Sequence, residues 1–144
     1  MVKPVRIQRR RVKGWDMQKA SPNGLPVEYV GRPSKWGNPF IGPNLKDSLA
    51  LYAEMAHGCW NPLLVPISFR GDIQIYRAHC YWLSRVGAGV EDSIREELRG
   101  KNLCCWCELC EKHKDGKPWD ESCSECQPCH VDILLTIAAG IEAA

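Results

Sequence analysis

The chain has 144 residues and a formal net charge of +2, and 44% of its residues are hydrophobic and 25% are charged. This length suffices for one domain with a hydrophobic core and is too short for two, so we expect a single domain over residues 1–144. No apolar run approaches the roughly 20 residues that cross a bilayer, which excludes a membrane-embedded protein, and the charge is too small to imply nucleic-acid binding by itself.

Cysteine usage and the N-terminus indicate the cellular compartment. The nine cysteines are an odd number, and the first 13 residues carry six basic side chains without the apolar segment of a secretory signal. Secreted proteins pair their cysteines in disulfides, whereas cytosolic proteins keep thiols reduced or use them to bind metal. We therefore predict a cytoplasmic protein with no membrane partner.

The first forty residues predict two short strands and a shaped loop. Valine and isoleucine alternate loosely with arginine over residues 5–12, which predicts an edge strand with a cationic outer face or, alternatively, a solvated basic arm. A β-branched and aromatic run over residues 26–30 predicts the second strand. Two glycines and two prolines between Gly31 and Phe40 exclude a regular helix or central strand there.

Helical periodicity dominates the rest of the chain. The predicted helices span residues 44–57, 71–85, 91–100 and 131–143. Asp47 or Ser48 is the expected N-cap of the first, Gly100 is the expected C-cap of the third, and a loop covers 61–70. A buried strand is predicted over 102–107. Strands that alternate with helices predict an α/β (or α+β) domain with a small, partly parallel sheet flanked by helices.

The segment from Leu103 to His130 concentrates the cysteines, with seven of the nine. Four of these thiols form two Cys-x2-Cys pairs, which are Cys107, Cys110, Cys123 and Cys126. This spacing is typical of a site where two turns present four ligands to one tetrahedral Zn2+ ion, and His113 is the alternative to Cys107 as the fourth ligand. A closed set of four ligands is structural rather than catalytic. We expect a zinc-binding knuckle over 107–127, inserted before the last helix.

A second group of reactive residue types flanks this motif. Cys129 and His130 follow Pro128, which favours the first turn of a helix, and Cys105 lies near the end of the predicted strand. If the strand lies in the same sheet, Cys105, Cys129 and His130 meet at its carboxyl edge, where open α/β folds bind ligands. They are our candidate catalytic residues, as a nucleophilic or redox cysteine with a histidine partner. A second metal site is one alternative, and a buried thiol with a capping histidine is the other.

The loop from Gly31 to Phe40 carries the side chains of an anion-binding site. The candidate ligand-binding residues are Arg32, Ser34, Lys35, Trp36 and Asn38. Four of them offer polar or charged donors for a phosphate, and Trp36 is expected to stack on a base. The spacing is not that of a P-loop or a dinucleotide fingerprint. The alternative is a rigid corner in which Trp36 and Phe40 fill the core.

Several motifs together resemble one family. They are the basic start, the stretch from Tyr29 to Phe40, the stretch from Leu98 to Leu103, Cys105-Trp106-Cys107, and Cys129-His130-x-Asp132. Over nearly its whole length the chain resembles family 4326 of the domains of unknown function, small domains of bacteria and phages. The resemblance implies architecture and important positions but no activity. In its members, Cys-Trp-Cys and Cys-His lie only a few residues apart, which implies an insert from about residue 108 to 127.

Three hypotheses of function follow. The first is a zinc-containing domain that binds an anionic, nucleotide-like ligand between the Gly31–Phe40 loop and the start of the last helix, and acts on it as an enzyme if Cys129 and His130 are reactive. The second is a nucleic-acid-binding accessory protein with a basic N-terminal face and a zinc knuckle. The third is a protein-interaction module that contacts its partner through residues 119–121. The sequence does not indicate an oligomeric state.

Overall fold

The computed structural model describes residues 3–40, 44–58, 73–87 and 89–140. Within these ranges the strands are β1 (Val5–Gln8), β2 (Val27–Tyr29), β3 (Asn102–Cys105) and β4 (Lys117–Pro118). The helices are α1 (Leu45–Ala56), α2 (Ile73–Val86), α3 (Val90–Leu98) and α4 (His130–Ala138). The predicted class is confirmed: the four strands form one mixed, partly parallel sheet beside the helices. The loop predicted over 61–70 lies outside the described residues.

The strand order in the sheet is β2-β3-β1-β4. Strands β2, β3 and β1 are parallel to one another, and β4 runs antiparallel to β1. The three parallel strands therefore end at the same edge of the sheet, which we call the carboxyl edge. Open α/β sheets bind their ligands in the crevice outside this edge.

The prediction that β1 is an edge strand with a cationic outer face is wrong. Val5 pairs with Pro118 of β4, so β1 lies between two other strands. The Arg6 side chain is only 1% exposed and contacts residues of the 108–127 segment and of α4. A two-residue strand has no periodicity that a sequence pattern can show, which is why the covering strand was missed.

The sheet is covered on both faces. Leu103 and Cys105 of β3 face the main core, which α1, α3 and α4 complete, whereas Cys104 packs with Ile7 and Val27 in a smaller cluster on the opposite face. All four residues of β3 are buried, as expected for a parallel strand that is covered on both sides. Three of its four residues are apolar, and they do not alternate with polar ones.

Helix ends differ in detail from their sequence patterns. Asn44 caps α1, since its side chain accepts a hydrogen bond from the Asp47 backbone nitrogen, so the prediction of Asp47 or Ser48 as the cap is wrong. Ser48 is instead buried, and its hydroxyl donates to the Phe40 carbonyl at 2.6 Å. This bond ties α1 to the end of the Gly31–Phe40 loop. Across the described ranges, no helix combines the length and apolar character needed to span a membrane.

The two ends of the segment 108–127 lie next to each other. The Gln127 backbone nitrogen donates to the Glu108 carbonyl at 2.9 Å, and the Glu108 nitrogen donates to the Gln127 side chain at 3.1 Å. Arg6 donates through Nη2 to both main-chain carbonyls, at 3.2 Å for Glu108 and 2.6 Å for Gln127. The buried guanidinium thus holds the two ends of the segment together at the sheet.

Candidate functional site

Four residues of the 108–127 segment converge on one point. This inner set consists of Cys110, His113, Cys123 and Cys126, whose ligand atoms all lie within 4.8 Å of one another. The Cys110 sulfur lies 3.2 Å from His113 Nδ1 and 3.8 Å from the Cys123 sulfur, and the Cys126 sulfur lies 3.5 Å from His113 Nδ1. Three thiols and one imidazole in this arrangement can hold a metal ion.

His113 occupies the fourth place of the inner set because of a tight turn. Its backbone nitrogen donates to the Cys110 carbonyl at 3.1 Å, which brings Nδ1 toward the thiols. Nε2 lies 3.1 Å from Glu121 Oε1, close enough for an ion pair but out of line for a hydrogen bond. Burial acts to lower the His113 pKa, but Glu121 and Cys110 outweigh it and the pKa is raised. An imidazole between a metal and a carboxylate is the usual arrangement of a histidine ligand.

Cys107 does not lie in the inner set. It precedes the point where Glu108 and Gln127 close the 108–127 segment, so its side chain lies outside that segment. The structure brings it together with Cys105 and Cys129, and the three sulfurs lie within 4.8 Å of one another. We call these residues the thiol trio. The ligand assignment based on Cys107 is therefore corrected in favour of the alternative, His113.

Three elements position the thiol trio at the carboxyl edge. Cys105 is the last residue of β3, Cys107 follows two residues later, and Cys129 is the N-cap of α4. The Cys105 and Cys129 sulfurs lie 2.9 Å apart, and the Cys107 backbone nitrogen lies 3.4 Å from the Cys105 sulfur. Both Cys105 and Cys129 are buried.

The thiols of the trio titrate together. Contacts with the Cys105 and Cys129 thiols stabilise a thiolate on Cys107 and lower its pKa to about 3. The same contact with Cys107 raises the pKa of Cys105 to about 12, and burial raises the pKa of Cys129. Burial acts to lower the pKa of Arg6, but the charges of Cys129 and its neighbours outweigh this and the pKa is raised. One negative charge shared by three sulfurs therefore lies near a buried cation.

His130 lies beside the trio in a defined tautomer. Its Nε2 lies 2.8 Å from the Val30 carbonyl, which can only accept, so we assign the proton to Nε2. Nδ1 is then unprotonated and lies 3.6 Å from the Cys129 sulfur. Burial lowers the His130 pKa, which keeps the ring neutral. The predicted meeting of Cys105, Cys129 and His130 at the carboxyl edge is thus what the structure contains, while their catalytic role stays a prediction.

A cavity of about 430 Å³ opens at this edge, between the Gly31–Phe40 loop and the start of α4. We call it the carboxyl-edge cavity. All three thiols of the trio and His130 line it, and Arg32 and Trp106 lie on its wall. Cys105 and Cys129 are buried behind this opening and Cys107 is half-buried, so a small molecule that enters the cavity comes close to their sulfurs.

The Gly31–Phe40 loop is held in one shape by its own hydrogen bonds. Arg32 Nε donates to the Asn38 carbonyl at 2.7 Å, and the Tyr29 hydroxyl donates to the Arg32 carbonyl at 2.5 Å. A β-carbon at Gly37 would lie 3.0 Å from the Arg32 backbone nitrogen, so glycine is required for this close approach. The Arg32 side chain itself is exposed.

Two of the predicted ligand-binding residues are part of the interior. Trp36 is 3% exposed and packs edge-on against Trp82, with ring centroids 6.4 Å apart. The prediction that Trp36 stacks on a base is therefore wrong, and it fills the core. Asn38 is buried as well: its amide donates to Ser48 at 3.0 Å and its oxygen accepts from the Phe40 nitrogen at 2.9 Å. Asn38 therefore shapes the loop.

The other three predicted residues lie nearer the surface. Lys35 Nζ lies 2.6 Å from Glu97 Oε1, so most of its charge is already paired. The Ser34 hydroxyl is buried and has no hydrogen-bond partner within the described part of the chain. Arg32 uses only Nε within the loop, so its terminal nitrogens are the donors best placed to bind an anion.

A second cavity, of about 820 Å³, lies between the loop and α2. We call it the basic cleft. Its wall includes Arg32, Lys35, Arg77 and Arg85, together with the aromatic side chains of Tyr81 and Trp82. Among the described residues that line it, none is acidic. The sequence interpretation missed the contribution of α2, although Arg77, Tyr81 and Arg85 are spaced four residues apart, which places them on one helix face.

The comparison with protein families identifies the family of the chain. A family model described as a domain of unknown function (DUF4326) matches residues 7–140. The chain belongs to this family. The matched region contains both thiol groups and the Gly31–Phe40 loop, and the family description names no activity. No curated protein and no solved structure matches the chain.

This DUF4326 domain also presents an exposed aromatic residue between basic side chains. Trp106 is 40% exposed, and the guanidinium carbons of Arg9 and Arg11 lie 5.2 and 4.9 Å from its ring centroid. Arg9 lies over the Tyr29 ring as well, at 4.7 Å. The predicted basic N-terminal face is therefore real for these arginines, but Arg6 is not part of it.

The 119–121 stretch, which is the predicted contact for a protein partner, is partly exposed: Asp120 is exposed, and Trp119 and Glu121 are half-buried. Trp119 is half-buried against the main core of the DUF4326 domain. Asp120 pairs with Lys3 at 2.5 Å, and Glu121 pairs with Lys112 at 2.9 Å. The side chains of residues 119–121 therefore contact other residues of the same domain.

Proposed function

We propose that the protein binds an anionic, nucleotide-like ligand in the basic cleft, and that a zinc ion bound by the inner set holds the adjoining 108–127 segment in its fold. The observation that carries the proposal is the composition of the cleft: four basic side chains line it together with aromatic rings, and no described carboxylate does. Its volume of about 820 Å³ lies within the usual range for small-molecule sites.

The charges of the cleft favour a phosphate or another oxyanion. Arg32 has free terminal nitrogens as far as the described residues show, and Arg85 donates only weakly, at 3.3 and 3.4 Å, to the Pro33 carbonyl. Guanidinium groups bind phosphate through two parallel hydrogen bonds. Lys35 contributes less because Glu97 already pairs with it. Clustered cations without a partner repel one another, and an anion relieves that repulsion.

The aromatic surface of the cleft favours a ligand with a flat ring. Tyr81 is 60% exposed and lies between Arg77 and Arg85 on the same helix face. Stacking of a base on an aromatic side chain contributes about 1–3 kcal/mol. Tyr81 thus takes the role that the sequence interpretation gave to Trp36. A ligand that combines an oxyanion with a flat ring stacked on Tyr81 is nucleotide-like.

The charges on the walls of the two cavities favour the basic cleft as the site of the anion. The sequence interpretation placed the ligand between the loop and the start of α4, in what is now the carboxyl-edge cavity. Among the charged side chains described on the wall of that cavity, Arg32 is the one cation. The basic cleft adds three further cations. We therefore place the anionic group of the ligand in the basic cleft.

Zinc is the metal that best suits the inner set. Two thiolates on one tetrahedral Zn2+ lie about 3.8 Å apart, and a thiolate and an imidazole nitrogen lie about 3.5 Å apart. The distances of 3.8 Å between Cys110 and Cys123, and of 3.2 and 3.5 Å from His113 to its two sulfur neighbours, agree with these values. A closed set of four ligands leaves no position for a substrate, so this zinc is structural.

A nucleotide panel tests the ligand proposal. We expect a nucleoside di- or triphosphate to raise the Tm of the purified protein, and Arg32→Ala and Arg77→Ala each to weaken binding by about 10-fold or more. Arg10→Ala is the matched control, because it removes the same charge from an exposed position outside the cleft. A panel without any Tm shift contradicts the proposal.

The position of the ligand is tested by a second pair of variants. Tyr81→Ala changes the basic cleft, and Trp106→Ala changes the carboxyl-edge cavity. We expect the first to weaken nucleotide binding by about 10-fold and the second to leave it unchanged. The opposite result would place the ligand at the carboxyl edge.

The second candidate function is binding of single-stranded nucleic acid. The exposed Trp106 with Arg9 and Arg11 beside it favours this, since proteins bind single strands by stacking bases on aromatic rings next to cations. It predicts an affinity for a labelled oligonucleotide that falls steeply with salt and falls about 10-fold in Trp106→Ala. No binding at low salt would exclude it.

A further inference from the structure

We infer that Cys105, Cys107 and Cys129 hold a second metal ion, separate from the one at the inner set, with one coordination position open to the carboxyl-edge cavity. This site does not depend on the nucleotide-like ligand proposed for the basic cleft.

The position of the trio in the fold supports a metal site. The three sulfurs come from the end of β3, the loop after it and the N-cap of α4, and all lie within 4.8 Å of one another. The Cys107 backbone nitrogen lies 3.4 Å from the Cys105 sulfur, as backbone donors do around metal-bound thiolates. Cys129 caps α4 without a side-chain hydrogen bond to the helix, so its sulfur is free to face the other two.

The charges around the thiol trio favour binding of a divalent cation. Three neighbouring thiolates, two of them buried and one half-buried, would be costly without a cation, and one divalent ion reduces their total charge to −1. The buried guanidinium of Arg6 supplies a nearby positive charge, and the N-terminus of α4 adds a partial one. Asp132 and Lys117, which pair with each other at 3.3 Å, complete the ionic group around Arg6.

The fourth coordination position faces the cavity. His130 is not part of the convergent set, which consists of the three thiols whose sulfurs lie within 4.8 Å of one another. Its Nε2 is held by the Val30 carbonyl at 2.8 Å, and its Nδ1 lies 3.6 Å from the Cys129 sulfur. Three protein ligands and one open position is the arrangement of catalytic zinc, which leaves room for water or a substrate atom. The ligand class for this position is a small oxygen, nitrogen or sulfur donor that enters through the opening of about 430 Å³.

A disulfide between Cys105 and Cys129 is the competing account of the same geometry. Their sulfurs lie 2.9 Å apart, between the roughly 2.05 Å of a disulfide and the roughly 3.8 Å between two thiolates on one zinc ion. Metal binding separates the sulfurs by about 1 Å, and oxidation brings them closer by a similar amount. The two accounts predict different metal contents and different masses.

Metal analysis of the protein, purified anaerobically without added reductant, decides between them. We expect two metal ions per chain, and one in Cys129→Ser. Cys104→Ala is the matched control, since Cys104 is a neighbouring buried thiol on the opposite face of the sheet, and it should retain two. One metal ion in the wild type, or a content unchanged by Cys129→Ser, overturns the inference. If Cys129→Ser does not fold, native mass spectrometry of the wild type decides: two metal ions support the site, and one ion with a mass 2 Da lower overturns it.

The open position is tested by spectroscopy with cobalt. In the Co2+-loaded protein, added azide should change the visible absorption of the trio site, because azide enters the open position. Cys123→Ser, which lacks an inner-set ligand, should keep this response, and Cys129→Ser should lose it. A spectrum of two tetrahedral cobalt ions that azide does not change would show that the trio site is closed, and would overturn that part of the inference.

Discussion

Arg6 donates to the main-chain carbonyl of Gln127 across 2.6 Å, which joins the first strand to the end of the 108–127 segment. The same guanidinium pairs with Asp132 of α4 at 3.0 Å. One buried side chain therefore connects the sheet, the base of the 108–127 segment and the helix that begins at the thiol trio. The stability of this region and the arrangement of its thiols depend on that residue.

Replacing Arg6 tests this role. Arg6→Met keeps the length of the side chain and removes its charge and hydrogen bonds. The Gln127 carbonyl then loses its Arg6 donor, and the Glu108 carbonyl and Asp132 each lose one of their donors. We expect a loss of about 2–4 kcal/mol of unfolding free energy, less than for a fully buried pair because Lys117 still contacts Asp132. Urea unfolding measures it. Arg10→Met is the control and should change stability by less than about 0.5 kcal/mol; equal effects of the two substitutions would contradict the role of Arg6.

Glu121 should tune metal binding at the inner set. Its carboxylate lies 3.1 Å from His113 Nε2, so Glu121→Gln weakens the outer support of a metal ligand. We expect metal affinity to fall by about 10-fold, measured by competition with a chromogenic chelator. Glu125→Gln is an exposed carboxylate change in the same segment and should leave affinity unchanged. If the Glu121 variant binds metal as tightly as the wild type, Glu121 does not support the metal ligand His113.

Trp36 should matter for folding rather than for ligand contact. Because its ring is buried against Trp82, Trp36→Ala should cost about 3–5 kcal/mol of unfolding free energy. Trp36→Phe retains an aromatic ring in the core and should bind nucleotide as well as the wild type, if the protein is folded. Denaturant unfolding and calorimetric titration measure the two effects. A Phe variant that is stable but has lost binding would restore the original stacking prediction.

Tyr52 should make stability fall at alkaline pH. Burial raises its pKa well above the ordinary value of 10.0, so above pH 10 the unfolded chain loses this proton while the folded chain keeps it. The unfolded state then binds fewer protons, and unfolding free energy falls as pH rises. Tyr52→Phe should show a shallower decline in urea unfolding between pH 9 and 11, and should lose about 1 kcal/mol at neutral pH with the hydrogen bond to the Trp36 carbonyl. Parallel declines in both proteins would refute the assignment.

Much of the fold could be predicted because it depends on local patterns. Helical spacing predicted a helix over 44–57 where α1 spans Leu45–Ala56, and a β-branched run located β2. The meeting of Cys105 and Cys129 could be predicted as well, because parallel strands end at one edge of a sheet and the last helix begins there.

What could not be predicted depends on contacts between distant residues. Arg6 is buried because β4, with only two residues, covers β1, and no periodicity reveals so short a strand. By spacing, Cys107 is the expected fourth ligand and His113 is the alternative. The structure favours His113 because the segment closes at Glu108 and Gln127, after Cys107. In each case, the deciding interaction joins elements that are far apart along the chain.

A zinc-edge anomalous difference map from crystals of the full-length protein tests the division of the cysteines most directly. The account predicts a peak bonded by the four residues of the inner set, Cys110, His113, Cys123 and Cys126, and a second peak at the thiol trio. A first peak bonded by Cys107 in place of His113, or the absence of any peak, would contradict it.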